Sequence, residues 1–154
     1  MDQYEPITVT RTLTLDATAD ELWRMLTEDG ELSNWFTPDA AFDAVPGGTG
    51  RFGDGATVRR AVVHRVEPGR RLGFTWWPES DPTDATTVEL LVEEADQIGR
   101  VQLTVVETLV PASGGLGARA CSWIDAADAW DARFQALGDR ISDRMRARCS
   151  LFAG

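Results

Sequence analysis

Between Trp123 and Cys149 apolar side chains recur every three or four residues: Trp123, Ala127, Trp130, Phe134, Leu137, Ile141, Met145 and Cys149. That spacing places them on one stripe of an α-helix. Asp125, Asp128, Asp131, Arg133, Asp139, Arg140, Asp143, Arg144 and Arg146 fill other positions, which predicts a solvated opposite face. Asp dominates the first half and Arg the second, in keeping with the helix dipole. No proline interrupts the run. At ~1.5 Å per residue this helix is roughly 40 Å long. Its two Trp, one Phe and several aliphatic residues require a cover, and the rest of the chain has to supply it.

The cover is written in period-two patterns. From Ile7 to Asp16, Ile7, Val9, Arg11, Leu13 and Leu15 alternate with four threonines, predicting a strand with one apolar face on which Arg11 is a misfit expected near a frayed end. Thr18 and Glu21 have the spacing of a capping box. The helix that follows carries Leu22, Trp23, Met25 and Leu26 and is expected to stop at Asp29-Gly30. A second short helix or turn from Glu31 bears Leu32, Trp35 and Phe36 and ends at Pro38. Strands are then expected at Gly50–Phe52, Thr57–Glu67, Leu72–Trp77, Val88–Val92 and Val101–Leu109, with turns at Pro46-Gly47-Gly48, Pro68-Gly69 and Asp96–Gly99. In Thr57–Glu67, alternation puts Val58, Arg60, Val62, His64 and Val66 on one face and Arg59, Ala61, Val63 and Arg65 on the other. A Gly-rich connector, Pro111 to Gly117, leads into the long helix.

Strands joined by tight turns pair antiparallel, and one apolar face per strand means one covered side. The expected fold is therefore α+β. A curved antiparallel sheet of six to seven strands wraps a long C-terminal helix, with two short helices after the first strand. No internal repeat or linker divides residues 1–154, so one domain is expected.

Charge narrows the partners. The formal net charge is −10 and every basic side chain except His64 is Arg. An acidic surface repels phosphate backbones and anionic membranes, which argues against nucleic-acid binding and membrane insertion. No run approaches a membrane span, and the acidic start Met1-Asp2-Gln3-Tyr4-Glu5-Pro6 lacks the features of a signal peptide, so a cytoplasmic location is expected. Cys121 and Cys149 sit at opposite ends of the proposed helix, about 40 Å apart and far beyond the ~7 Å disulfide limit.

The order of elements resembles the helix-grip fold of the START-like (SRPBCC) superfamily. Within it, the chain resembles the family of homologues of the activator of the heat-shock-protein-90 ATPase. Leu22-Trp23 through Trp35-Phe36-Thr37-Pro38 is similar to that family's first helical segment. Val66-Glu67-Pro68-Gly69-Arg70-Arg71-Leu72-Gly73-Phe74-Thr75-Trp76 resembles its hairpin, Val101 to Glu107 its following strand, and Trp130, Phe134, Leu137 and Ile141 its last helix. The resemblance implies a cavity between helix and sheet, lined by aromatic residues, that holds an apolar or amphipathic small molecule. The family name implies a chaperone partner, for which no basic patch or docking motif is visible in the sequence.

Candidate chemistry is sparse. His64 is the single histidine, so any imidazole acid–base step must use it; a histidine without a placed partner is more often a packed or rim residue. Glu107 interrupts the apolar face of its strand between Val105 and Leu109. A carboxylate there must be paired, protonated or near a wet cavity. It is a polar anchor for a ligand, a general base, or a strand-end residue in water or paired with Arg11 or Arg60. Trp35, Phe36, Phe52, Trp76, Leu103, Trp130 and Phe134, with Glu107, are the candidate ligand-binding residues, although aromatic residues at such positions are more often core. No catalytic triad, phosphate-cradling loop or metal-ligand spacing occurs, and no cofactor or metal is expected. The leading reading is non-catalytic binding of a small apolar or aromatic molecule. The alternatives are a polyketide-cyclase or aromatase-like enzyme using Glu107 and His64, and a module that binds a chaperone or regulator. Both ligand readings require a cavity above roughly 300 Å³. An outer sheet face carrying Val63, Leu91 and Val106 would allow a homodimer.

Overall fold

The computed structural model describes the backbone of residues 7–109 and 116–152 and the side chains of residues 8–109 and 126–147. The segments expected as strands become β1 (Ile7–Leu15), β3 (Thr49–Gly53), β4 (Val58–Glu67), β5 (Arg71–Pro78), β6 (Thr86–Glu94) and β7 (Val101–Leu109), and β2 (Asp39–Phe42), not expected from sequence, adds a seventh. They form one antiparallel sheet in the order β1-β7-β6-β5-β4-β3-β2. Only the β1–β7 contact departs from sequence neighbours, because α1 (Ala19–Thr27) and α2 (Asp29–Trp35) intervene after β1. The long helix α3 (Leu116–Phe152) lies along the concave side. This is the α+β helix-grip arrangement expected from the pattern.

Local chemistry accounts for the corners. Thr18 Oγ1 accepts the Glu21 backbone N–H at 3.1 Å and starts α1. Gly30 is not the breaker expected of it. The chain turns at Glu28, in extended conformation, whose N–H still bonds the Arg24 carbonyl, and Gly30 lies inside α2. The Trp35 indole N–H donates to the Met25 carbonyl at 2.8 Å, pinning α2 to α1. Asp29 Oδ1 accepts the Phe42 N–H at 2.7 Å and ties the start of α2 to the end of β2.

α3 starts earlier and ends later than the predicted Trp123–Cys149, so Leu116 and Gly117 belong to the helix rather than the connector. Residues 110–115 lie outside the described residues. Cys121 and Cys149 fall on this one continuous helix, which keeps them far apart. Ala127, Trp130, Phe134, Leu137 and Ile141 are buried as the stripe requires. Met145 is not; it is 42% exposed. Trp123 and Cys149 side chains lie outside the described residues.

Two expectations in the sheet are corrected. Arg11 is mid-strand, not frayed: it faces the helix and pairs with Asp131 at 2.7 Å. Alternation in β4 breaks at a β-bulge between Val63 and Arg65. Val63 is 1% exposed and belongs to the core, so it cannot take part in an outer face; Val62, 39% exposed, lies there instead. The bulge sends His64 and Arg65 outward together over Gly73. A Cβ on Gly73 would meet His64 Cε1 at 3.1 Å and Arg65 Cβ at 3.3 Å, so glycine makes room for both. No helix among the described residues is long and apolar enough to cross a membrane.

Candidate functional site

Glu107 stands opposite Val9 on β1 and Val88 on β6, in the middle of the apolar concave face, and is 3% exposed. A bare carboxylate there would be costly, and three donors offset this. Oε2 accepts the Trp76 indole N–H at 2.9 Å and the Thr86 hydroxyl, while Oε1 accepts the Trp130 indole N–H at 2.7 Å. Trp76 Nε1 also lies 2.9 Å from Thr86 Oγ1, its register partner across β5 and β6. One carboxylate therefore joins β5, β6 and β7 to α3 through charge-assisted hydrogen bonds. Its partners are not the Arg11 or Arg60 considered from sequence; Arg60 points outward and pairs with Glu79 at 2.9 Å.

Around this node the rings close up. Phe36, at the end of α2, contacts Trp35, Phe52, Trp76 and Trp130 at ring-centre distances of 5.3, 5.1, 5.7 and 5.7 Å. Trp76 and Trp130 are 6.2 Å apart, and Trp130 and Phe134 6.1 Å. Phe42 and Phe74 extend the cluster, and Leu103 is fully buried. The middle of the grip is thus filled by its own aromatic residues.

Two arginines lie against these rings. The Arg133 guanidinium sits 4.7 Å from the Phe36 ring centre, 4.9 Å from Trp130 and 5.2 Å from Trp76. Sequence placed Arg133 on the solvated face, yet it follows Trp130 by one turn and leans onto the aromatic cluster. Burial pushes its pKa down to about 10, opposed by the Glu107 charge and reinforced by Arg59, with Asp54 acting upward. It stays charged at neutral pH. Arg59 lies 4.7 Å from the Trp76 ring centre, and its buried Nη1 has no hydrogen-bond partner.

What remains open is a cleft of about 230 Å³ at the end of the sheet, beside α3. Arg59, Trp76, Asp84, Thr86, Glu107, Leu109, Ala126, Ala129 and Arg133 line it. Of the sequence candidates, Trp76 and Glu107 reach the cleft. Trp35, Phe36, Phe52, Leu103, Trp130 and Phe134 form packed structure behind it. His64 is exposed on the outward face and is not brought together with Glu107, which faces inward. Hollows of about 320 Å³ near Ile98 and about 390 Å³ near Thr57 and Glu79 lie mainly among exposed residues. Among the described residues no cluster of three potential metal ligands occurs.

Sequence reasoning missed Arg59, Asp84, Thr86, Leu109, Ala126, Ala129 and Arg133. Arg59 had a signal: it shares its alternation with Ala61 and Val63, the same misfit that exposed Glu107. Arg133 had a weaker one, its three-residue spacing from Trp130.

A curved sheet, a gripped C-terminal helix and a cleft at their junction define a START-like helix-grip protein. The chain belongs to the family of activator of Hsp90 ATPase homolog 1-like proteins, whose model matches residues 16–137. Protein MLL2253 from Mesorhizobium loti superposes with a TM-score of 0.74 at 22% identity, covering 90% of this chain and 98% of that one. The Aha1 dimer from Colwellia psychrerythraea gives 0.72 at 15%, covering 88% and 96%. DynU16 of the dynemicin biosynthetic locus gives 0.73 at 20%; 88% of this chain is covered, but only 47% of DynU16, so the chain spans about half of that relative. At these identities the likeness is one of fold. No curated protein matches the chain.

Proposed function

We propose that the protein binds one small apolar or aromatic molecule, without transforming it, in the cleft between the sheet and α3. The observation that carries this reading is a hollow of about 230 Å³ that borders the buried Trp76–Glu107 node. Leu109, Ala126 and Ala129 offer apolar contact there, while Thr86, Glu107 and the two arginines offer polar anchors. The volume falls short of the roughly 300 Å³ expected from sequence, which restricts the proposed ligand to about the size of a single substituted ring. Trp76 and Glu107 touch it; Trp35, Phe36, Phe52, Leu103, Trp130 and Phe134 support it from behind. Absence of catalysis is supported by the placement of His64 and Glu107 on opposite faces.

Indole, phenol, benzamide and benzoate titrated against intrinsic Trp emission test the proposal. Saturable quenching by at least one, weakened about ten-fold by Ala129→Leu, is expected. Flat titrations with all four would sink it.

A second reading is favoured by the closure of the aromatic cluster over most of the grip: a module whose surface binds a protein, as the family name and the dimeric Colwellia relative suggest. Stimulation of an Hsp90 ATPase by this protein, or a dimer mass in sedimentation, would support it.

A further inference from the structure

We infer that the cleft is built for the carboxylate of a small monocarboxylic acid with an apolar body, received by Arg59 with Arg133 beside it. This rests on the ligand-binding reading of the cleft and adds the chemical class. The two guanidinium carbons lie 4.7 and 5.2 Å from the same Trp76 ring centre, so they are at most 9.9 Å apart. Both line the same hollow. Stacking on a ring occupies the flat face of a guanidinium and leaves its in-plane N–H groups to find acceptors elsewhere. For Arg59 this is visible: Nη1 is buried and donates to nothing. A buried charged donor without an acceptor is a missing partner.

Glu107 does not serve as that partner. Its two oxygens already accept three donors from Trp76, Thr86 and Trp130. Arg59 Nη1 is thus left for an added acceptor, and a carboxylate matches the guanidinium fork in two parallel hydrogen bonds. Charge selects among anions. Among the described residues the lining carries two arginines and two acidic residues, Asp84 and Glu107, so their formal charges balance before a ligand arrives. A single negative charge is tolerated better than the double charge of a phosphate ester. Leu109, Ala126, Ala129 and the Trp76 ring then receive the apolar body.

Calorimetric titration of the whole protein with benzoate and with benzamide at low salt tests this. The two probes share shape and differ in charge. Benzoate is expected to bind at least ten-fold tighter, with the preference shrinking as NaCl is added. Arg59→Gln is expected to bring the two affinities within about two-fold, the loss falling more on benzoate than on benzamide, and Arg59→Lys to retain part of the preference. Circular dichroism verifies that the variants are folded. Equal affinities in the wild type, or a preference untouched by Arg59→Gln, overturn the carboxylate assignment while the ligand-binding reading stands. Binding of neither probe also overturns the carboxylate assignment, and the ligand-binding reading then stands or falls with indole and phenol.

Discussion

Glu107 shows how a single residue can be legible as important and illegible in role. Its alternation with Val105 and Leu109 marks a carboxylate among apolar neighbours. What the alternation cannot give is the identity of its donors, since Trp76, Thr86 and Trp130 come from three other elements. The structure makes it a buried linchpin that also borders the cleft. In Glu107→Gln one terminal atom becomes an N–H donor facing an indole N–H or the Thr86 hydroxyl. We predict a loss of roughly 2–4 kcal/mol, measured by urea denaturation, from the broken charge-assisted bonds and the unsatisfied donor. Asp54 gives a second prediction. Backbone N–H groups of Thr57 and then Ala56, at 2.8 and 2.9 Å, hold its carboxyl below the ordinary 3.8. A depressed carboxyl stabilises the folded β3–β4 turn above pH 3.8 and loses that contribution as pH falls through its folded value. An NMR titration of the Asp54 side-chain carbon should show a midpoint below 3.8, and Asp54→Asn should abolish the associated shift of the Thr57 amide.

Elements were legible wherever one period ran uninterrupted. β1, β6 and β7 keep strict alternation, and α3 keeps its three-four spacing from Ala127 to Ile141, so pattern and structure agree. β4 failed because a bulge adds a residue without changing composition; nothing in Val62-Val63-His64-Arg65 announces it. The signal lies across the hairpin, in Gly73, the one position of β5 that can sit beneath both His64 and Arg65. Gly73→Val should therefore cost roughly 1–3 kcal/mol by overpacking, where a β-branched residue in an unbulged strand would be tolerated. His64→Ala should recover part of that loss, because the imidazole is the nearer and more movable obstacle. A double-mutant cycle by chemical denaturation measures the coupling. Additive losses would mean that His64 does not close over Gly73 in solution.

At the scale of the whole molecule, the question is how tightly the grip is closed. Sequence indicated many rings around one helix but not whether they line a cavity or fill it, because that depends on distances of about 1 Å between elements far apart in the chain. Phe36 decides it. Carried by α2, it reaches between sheet and helix to touch Phe52, Trp76 and Trp130, and Arg133 rests on its ring. Removing its ring should turn the small cleft into a larger apolar cavity continuous with the Trp76 face. Phe36→Ala is expected to cost about 3–5 kcal/mol, which a protein of typical stability can survive. An apolar void of this kind stays dry and accepts apolar guests. A naphthalene-sized ligand should accordingly bind the variant at least ten-fold more tightly than the wild type, measured by quenching of Trp emission and by the ligand-induced rise in melting temperature. Phe36→Leu should show a smaller gain, since it refills part of the space. If the variant is folded and gains no affinity, the neighbouring rings have collapsed into the vacancy, and the closed cluster is the preferred state of the fold rather than the work of one side chain.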